Sequence, residues 1–172
     1  MNRILLIFLL FSACLSSCTK TTDVAAQIKA QEAIDDKIIT AYLKNKNITA
    51  SVVDSAGIST GIYYTIDTPA TGNALYTSST SVTVGYTGWL LTNGVLGNAF
   101  AQTNNFHPSF VLGSVISGWQ FGLENPPGVQ VGETVTLYLP SHYAYGPYPQ
   151  PDIGLPANAV LVFQITVYNI TN

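Results

Sequence analysis

Charge is what this sequence lacks. Of its 172 residues only 9 % are Asp, Glu, Lys or Arg, against roughly 25 % in an average soluble chain. The shortage is uneven. The basic residues are Arg3, Lys20, Lys29, Lys37, Lys44 and Lys46, so residues 47–172 contain no Lys or Arg. The same stretch holds five acids: Asp54, Asp67, Glu124, Glu133 and Asp152. Binding to a phosphate backbone depends on Lys and Arg, which argues against nucleic acid as a partner. Nucleotide enzymes bring a Lys or Arg to the phosphates, and this region has neither. Histidine is also scarce, at His107 and His142, and both read as surface residues. Their neighbours Ser109 and Ser141 do not make a triad by adjacency. Glu124 and Glu133, separated by Pro126-Pro127-Gly128, read as loop acids rather than a glycosidase pair. With so few ligating side chains, neither a metal nor another cofactor is expected.

Cysteine is confined to Cys14 and Cys18. Arg3 precedes an apolar run over 4–11 that is too short to span a bilayer, the pattern of a signal peptide. Leu15-Ser16-Ser17-Cys18 resembles the lipobox of bacterial lipoprotein signals, in which the chain is cut before the Cys and the Cys is acylated. Cys14, after Phe11-Ser12-Ala13, fits that box less well. The alternative is an ordinary secretory signal that leaves Cys18 a free thiol. The expectation is a signal peptide over 1–17 and a lipidated tether over 18–22. Lipid on Cys18 would hold the domain to a membrane on the extracytoplasmic side, in the periplasm or at the outer membrane of a Gram-negative cell.

Residues 23–47 predict an amphipathic helix. Asp23 can cap it, and Val24, Ile28, Ile34, Ile38, Ile39, Tyr42 and Leu43 recur at steps near three and four. Lys44 and Lys46 suit the negative pole of its dipole, and Asn45 and Asn47 offer a stop. Such a helix either docks or dimerises, or it packs on the following domain or spaces it from a membrane; the second reading is favoured. Residues 48–60 read as a linker and 61–172 as one domain.

Strand patterns then follow at 61–66, 81–90, 109–112, 134–139 and 160–168, rich in β-branched and aromatic residues. Asn93-Gly94 is a hairpin turn signal. Only 115–123 leaves room for a short internal helix. The fold class is therefore α+β. Aromatic residues crowd this domain, among them Tyr86, Trp89, Phe100, Phe106, Phe110, Trp119, Phe121, Tyr138, Tyr143, Tyr145, Tyr148 and Phe163. Most belong in a core. The surplus points to a concave pocket for an apolar ligand.

Four segments carry a family likeness: Val82-Thr83-Val84-Gly85-Tyr86-Thr87-Gly88, then Phe110-Val111-Leu112-Gly113 with Val115-Ile116-Ser117-Gly118-Trp119, then Tyr143-Ala144-Tyr145-Gly146, then Leu155-Pro156-Ala157-Asn158-Ala159-Val160-Leu161-Val162-Phe163. In this order and spacing they resemble the FKBP-type peptidyl-prolyl isomerases, across about 61–169. The resemblance implies a twisted antiparallel sheet wrapped around a short helix, here 116–123. It implies cis–trans isomerisation of the peptide bond before proline, with proline-containing polypeptides and macrolide-type compounds as ligands. Trp119 matches the indole floor under the proline ring, and Tyr86, Phe100 and Phe163 match its aromatic walls. Val115 and Ile116 match the segment whose Ile amide meets a ligand carbonyl. Tyr145 matches the tyrosine whose hydroxyl bonds the substrate, and Leu155 the apolar residue of the last loop.

The departures are as specific as the matches. The family pattern has Phe-Asp at the wall, the Asp paired with an Arg a few residues on; here the pair is Phe100-Ala101 and 102–106 holds no Arg. Losing both partners is physically sensible, because one buried charge without the other is costly. The segment 91–105 carries an apparent insertion. A further aromatic wall position falls on Pro108, with Phe106 as a substitute, and the loop Pro147-Tyr148-Pro149-Gln150-Pro151 is proline-rich. Two functions stay open: an isomerase of reduced activity and altered preference for the residue before proline, or a binding module or chaperone that has lost catalysis.

Overall fold

The structure is a computed structural model and describes residues 20–124 and 128–172. The proposed signal peptide and Cys18 lie outside the described residues. Helix α1 (Lys20–Asn45) is followed by strands β1 (Ser51–Ser55), β2 (Ile58–Thr68), β3 (Ser81–Thr92), β4 (Val95–Gln102) and β5 (Ser109–Val111). Helix α2 (Ser117–Glu124), β6 (Thr134–Leu139) and β7 (Val160–Thr171) complete the order. The seven described strands form one antiparallel sheet, β1-β2-β6-β7-β3-β4, with β5 paired to the start of β3. The α+β architecture expected above is borne out.

Strand alternation sorts the side chains into two layers. On the inner face Ile62, Val82, Val84, Val135, Leu137, Leu139, Leu161, Ile165 and Val167 are fully buried, and they enclose α2 through Trp119 and Leu123. On the outer face Leu91, Tyr138, Val160 and Val162 are buried beneath Ile39, Tyr42 and Leu43 of α1. Covering both faces explains why β6 is buried along almost its whole length and why the start of β7 reads as a continuous apolar run. Helix α2 lies close on the inner face because Gly118 and Gly122 have no side chains. A Cβ at Gly118 would sit 2.7 Å from Leu139 Cδ1 and 2.9 Å from the Tyr143 carbonyl oxygen; one at Gly122 would sit 2.5 Å from Leu137 Cδ1.

Several expectations change. Residues 20–22, read as part of a tether, are helical, so Asp23 lies inside α1 rather than capping it; no Gly or Pro precedes it to break the turn. The helix packs on the domain, as favoured, but only through its C-terminal half. Val24 and Ile34 remain 56 % and 52 % exposed, and Ile28 is also exposed. Its end is as expected: Asn47 adopts a left-handed φ of 53°, and the Ile48 amide donates to the Leu43 carbonyl at 2.9 Å. The span 48–60, read as a linker, supplies β1 and the start of β2. Ala56 and Gly57 form the two-residue turn with positive φ, a hairpin hidden by the unusual alanine. The apparent insertion over 91–105 is mostly strand β4, entered through the Asn93-Gly94 turn, where φ is 51° and 74°.

Candidate active site

Strand register builds the site. Val82, Val84, Tyr86 and Gly88 share the inner face of β3, Gly88 pairs with Phe163 on β7 and with Ala101 on β4, and Val82 pairs with Phe110 on β5. Four aromatic side chains, Tyr86, Phe100, Phe110 and Phe163, therefore reach one patch from four strands. Gly88 makes room for them: a Cβ there would lie 2.7 Å from the Phe163 ring and 2.8 Å from the Phe100 ring. Trp119 rises from α2 into the same patch. Its ring meets Tyr86 edge-to-face at 5.1 Å between centroids, Phe163 at 5.3 Å and Phe110 at 6.0 Å, and Phe100 meets Phe163 at 5.6 Å. Perpendicular contacts at these distances suit the ring quadrupoles.

Over this patch opens a cavity of about 430 Å³. It is lined by Tyr86, Phe100, Ala101, Phe110, Ser114, Val115, Ile116, Trp119, Tyr145, Ile153 and Phe163. No lining residue is charged. Trp119 is only 4 % exposed, and its Nε1 is buried with no hydrogen-bond partner, a costly arrangement of the kind that functional sites retain. Burial, and then the neighbouring Tyr86 phenol, push the Tyr145 hydroxyl above its ordinary range. It stays a neutral hydrogen-bond donor at physiological pH. Among the described residues no three of His, Cys, Asp and Glu come together as a metal would require. Such a cavity can strip water from an apolar ring and offer hydroxyl and amide donors to a carbonyl.

Of the residues singled out from the sequence, Tyr86, Phe100, Val115, Ile116, Trp119, Tyr145 and Phe163 line this one cavity. Leu155 does not. It is 3 % exposed and packed in the inner core, its amide and carbonyl bonded to Gln150. Ile153, at the end of the 3-10 turn Pro151–Ile153, lines the cavity instead. Phe106 is 71 % exposed and does not line the cavity; Phe110 supplies a wall residue instead, one that the sequence places in a strand but not in the site. The inward alternation of β3, extended across to β5, was the signal that could have found it.

A family model described as FKBP-type peptidyl-prolyl cis-trans isomerase matches residues 72–168. The chain belongs to that family. Among curated FKBP relatives, FK506-binding protein 1 of Candida glabrata is 31 % identical over 102 residues, 59 % of this chain and 86 % of that protein. The FKBP-type isomerase FkpA of Buchnera aphidicola subsp. Schizaphis graminum is 27 % identical over 161 residues, 94 % of this chain and 61 % of that protein. Among solved FKBP structures, a peptidyl-prolyl cis-trans isomerase from Pseudomonas syringae pv. tomato superposes with a TM-score of 0.63 at 28 % identity, covering 84 % of this chain and 96 % of that one. FkpA from Escherichia coli gives 0.58 at 25 % identity, covering 88 % and 66 %. This FKBP chain keeps the aromatic cavity with Ala101 on its wall.

Proposed function

We propose that the cavity over Trp119 binds the proline ring of X–Pro segments and accelerates their cis–trans isomerisation in envelope or secreted proteins. The observation that carries this reading is an uncharged aromatic cavity with a neutral phenol, Tyr145, at its rim. The barrier to be lowered is amide resonance, ~18–20 kcal/mol. A dry site disfavours the planar, more polar amide against the twisted one, and a positioned donor favours the transition state selectively. Tyr86, Phe100, Phe110 and Phe163 wall the ring, and the Ile116 amide and Tyr145 hydroxyl meet the flanking carbonyls. Macrolide-type compounds with a proline-like ring fit the same place.

One observation favours a second reading, a binding module without rate enhancement: Ala101 stands where the family pattern carries the wall Asp. A protease-coupled assay on tetrapeptides that vary the residue before proline separates the two. Isomerisation above the uncatalysed rate is expected. Tyr145→Phe is expected to lower kcat/KM about two- to tenfold, the worth of one neutral hydrogen bond. Rates equal to the uncatalysed exchange decide for the binder.

Placement in the envelope rests on the signal pattern ending at Cys18 and on the match to FkpA along 94 % of the chain. Lipid on Cys18 anchors the mature protein there. Cells fed labelled palmitate should yield labelled protein from the wild type and none from Cys18→Ala. Equal labelling of both rules the anchor out.

A further inference from the structure

Helix α1 lies on the face of the sheet opposite the cavity, yet it buries a carboxylate in a contact with the loop that carries Tyr145. Asp35 is fully buried. Its Oδ2 accepts the Ser141 amide at 2.8 Å and the Ser141 hydroxyl at 2.5 Å, while Oδ1 accepts the Gln31 side-chain amide at 2.7 Å. Ser141 opens the 3-10 turn Ser141–Tyr143. Its carbonyl in turn accepts the amides of Ala144 at 2.9 Å and Gly146 at 2.8 Å, the two residues flanking Tyr145. The Gly146 carbonyl then accepts the Asn158 amide at 2.8 Å. One unbroken series of hydrogen bonds thus runs from a carboxylate on α1 to both neighbours of the cavity tyrosine.

We propose that Asp35 is a positioning residue for Tyr145: through Ser141 it fixes the backbone from which the Tyr145 hydroxyl reaches the cavity, so that α1 sets the activity of a site it does not touch. This rests on the isomerase reading for its kinetic consequence and stands on the hydrogen bonds alone for its structural one. The carboxylate suits the task because it accepts from three donors and offers none. Ser141 is itself buried, so its amide and hydroxyl have no water to turn to when Asp35 is removed.

The test is a double-mutant cycle on the full mature chain, read by the tetrapeptide assay and by amide hydrogen exchange. Asp35→Ala is expected to lower kcat/KM about two- to tenfold, no more than the loss of the Tyr145 hydroxyl through which it acts, and to speed exchange at Ala144 and Gly146. Asp35→Asn should restore most of the activity, because one amide oxygen can accept both Ser141 donors while Gln31 turns its own amide. In a Tyr145→Phe background the further loss from Asp35→Ala should largely vanish. An equal loss in both backgrounds, or unchanged exchange at Ala144 and Gly146, overturns the proposal. If Asp35→Ala does not fold, Ser141→Ala replaces it in the same cycle, with the same expected direction and a smaller loss. Faster exchange beside a wild type that accelerates nothing upholds the link from helix to loop and overturns the isomerase reading instead.

Discussion

Trp119→Ala should remove about 3–5 kcal/mol of stability, the usual loss on truncating a buried Trp, and lower kcat/KM by more than about tenfold. The side chain is 4 % exposed and sits among Tyr86, Phe110 and Phe163 with ring centroids 5.1–6.0 Å away. Removing it leaves a hole bounded by aromatic rings and by the helix that carries it, and rings of that size collapse poorly into a gap. Since small domains are stable by only about 5–15 kcal/mol, the loss is visible in denaturant midpoint at once. Trp119→Phe separates packing from chemistry. It keeps a ring in contact with its neighbours and deletes the buried Nε1 that has no partner, so the released desolvation penalty, about 1–3 kcal/mol, offsets much of the lost volume. Stability near that of the wild type is expected for Phe, together with partial activity. A Trp119→Ala variant within about 1 kcal/mol of the wild type would show that the rings are not packed as described.

Much of the fold was legible because its signals are local. The alternation Val82, Val84, Tyr86 names one face of β3, and Asn93-Gly94 names its hairpin. The family's ordered segments added the site. Errors gathered where the deciding partner lies far along the chain. Val24 and Ile28 share a periodicity with Ile39 and Tyr42, yet the sheet is long enough to cover only the latter pair. Leu155 was assigned to the pocket by position in a motif, but its two hydrogen bonds with Gln150 close a turn that buries it and brings Ile153 to the cavity. Nothing local marks Asp35 as different from Asp36. One accepts from Ser141, the other from the Tyr63 hydroxyl at 2.7 Å, and only the assembled sheet tells them apart.

Alkali should dismantle this protein in a definite order, and the sparse charge makes the effect easy to isolate. Six tyrosines have hydroxyls pushed above the ordinary value of 10: Tyr42, Tyr63, Tyr76, Tyr138, Tyr143 and Tyr145. Burial is the first cause in each. Tyr63 and Tyr138 are pushed up to about 12, Tyr63 also by its bond to Asp36 and Tyr138 also by the nearby Tyr42 phenol. A group whose pKa is higher folded than unfolded binds its proton more tightly in the native state. Its contribution is complete below pH 10 and is lost as pH climbs from 10 through 12. For Tyr138, buried in the outer core, two pKa steps correspond to about 2–3 kcal/mol; Tyr63 is half-buried and contributes less, through solvent screening. Tyr42, Tyr63 and Tyr138 all stand between α1 and the sheet, so that interface should fail before the inner core. The two tryptophans report the layers separately, since Trp89 packs against the outer core and Trp119 belongs to the inner one. In a Trp119→Phe variant the remaining emission should shift near pH 11. In a Trp89→Phe variant it should shift only at higher pH, and tyrosinate absorbance should rise with both steps. Denaturant midpoints that stay level from pH 9 to pH 12 would mean that these phenols are no harder to ionise in the fold than out of it.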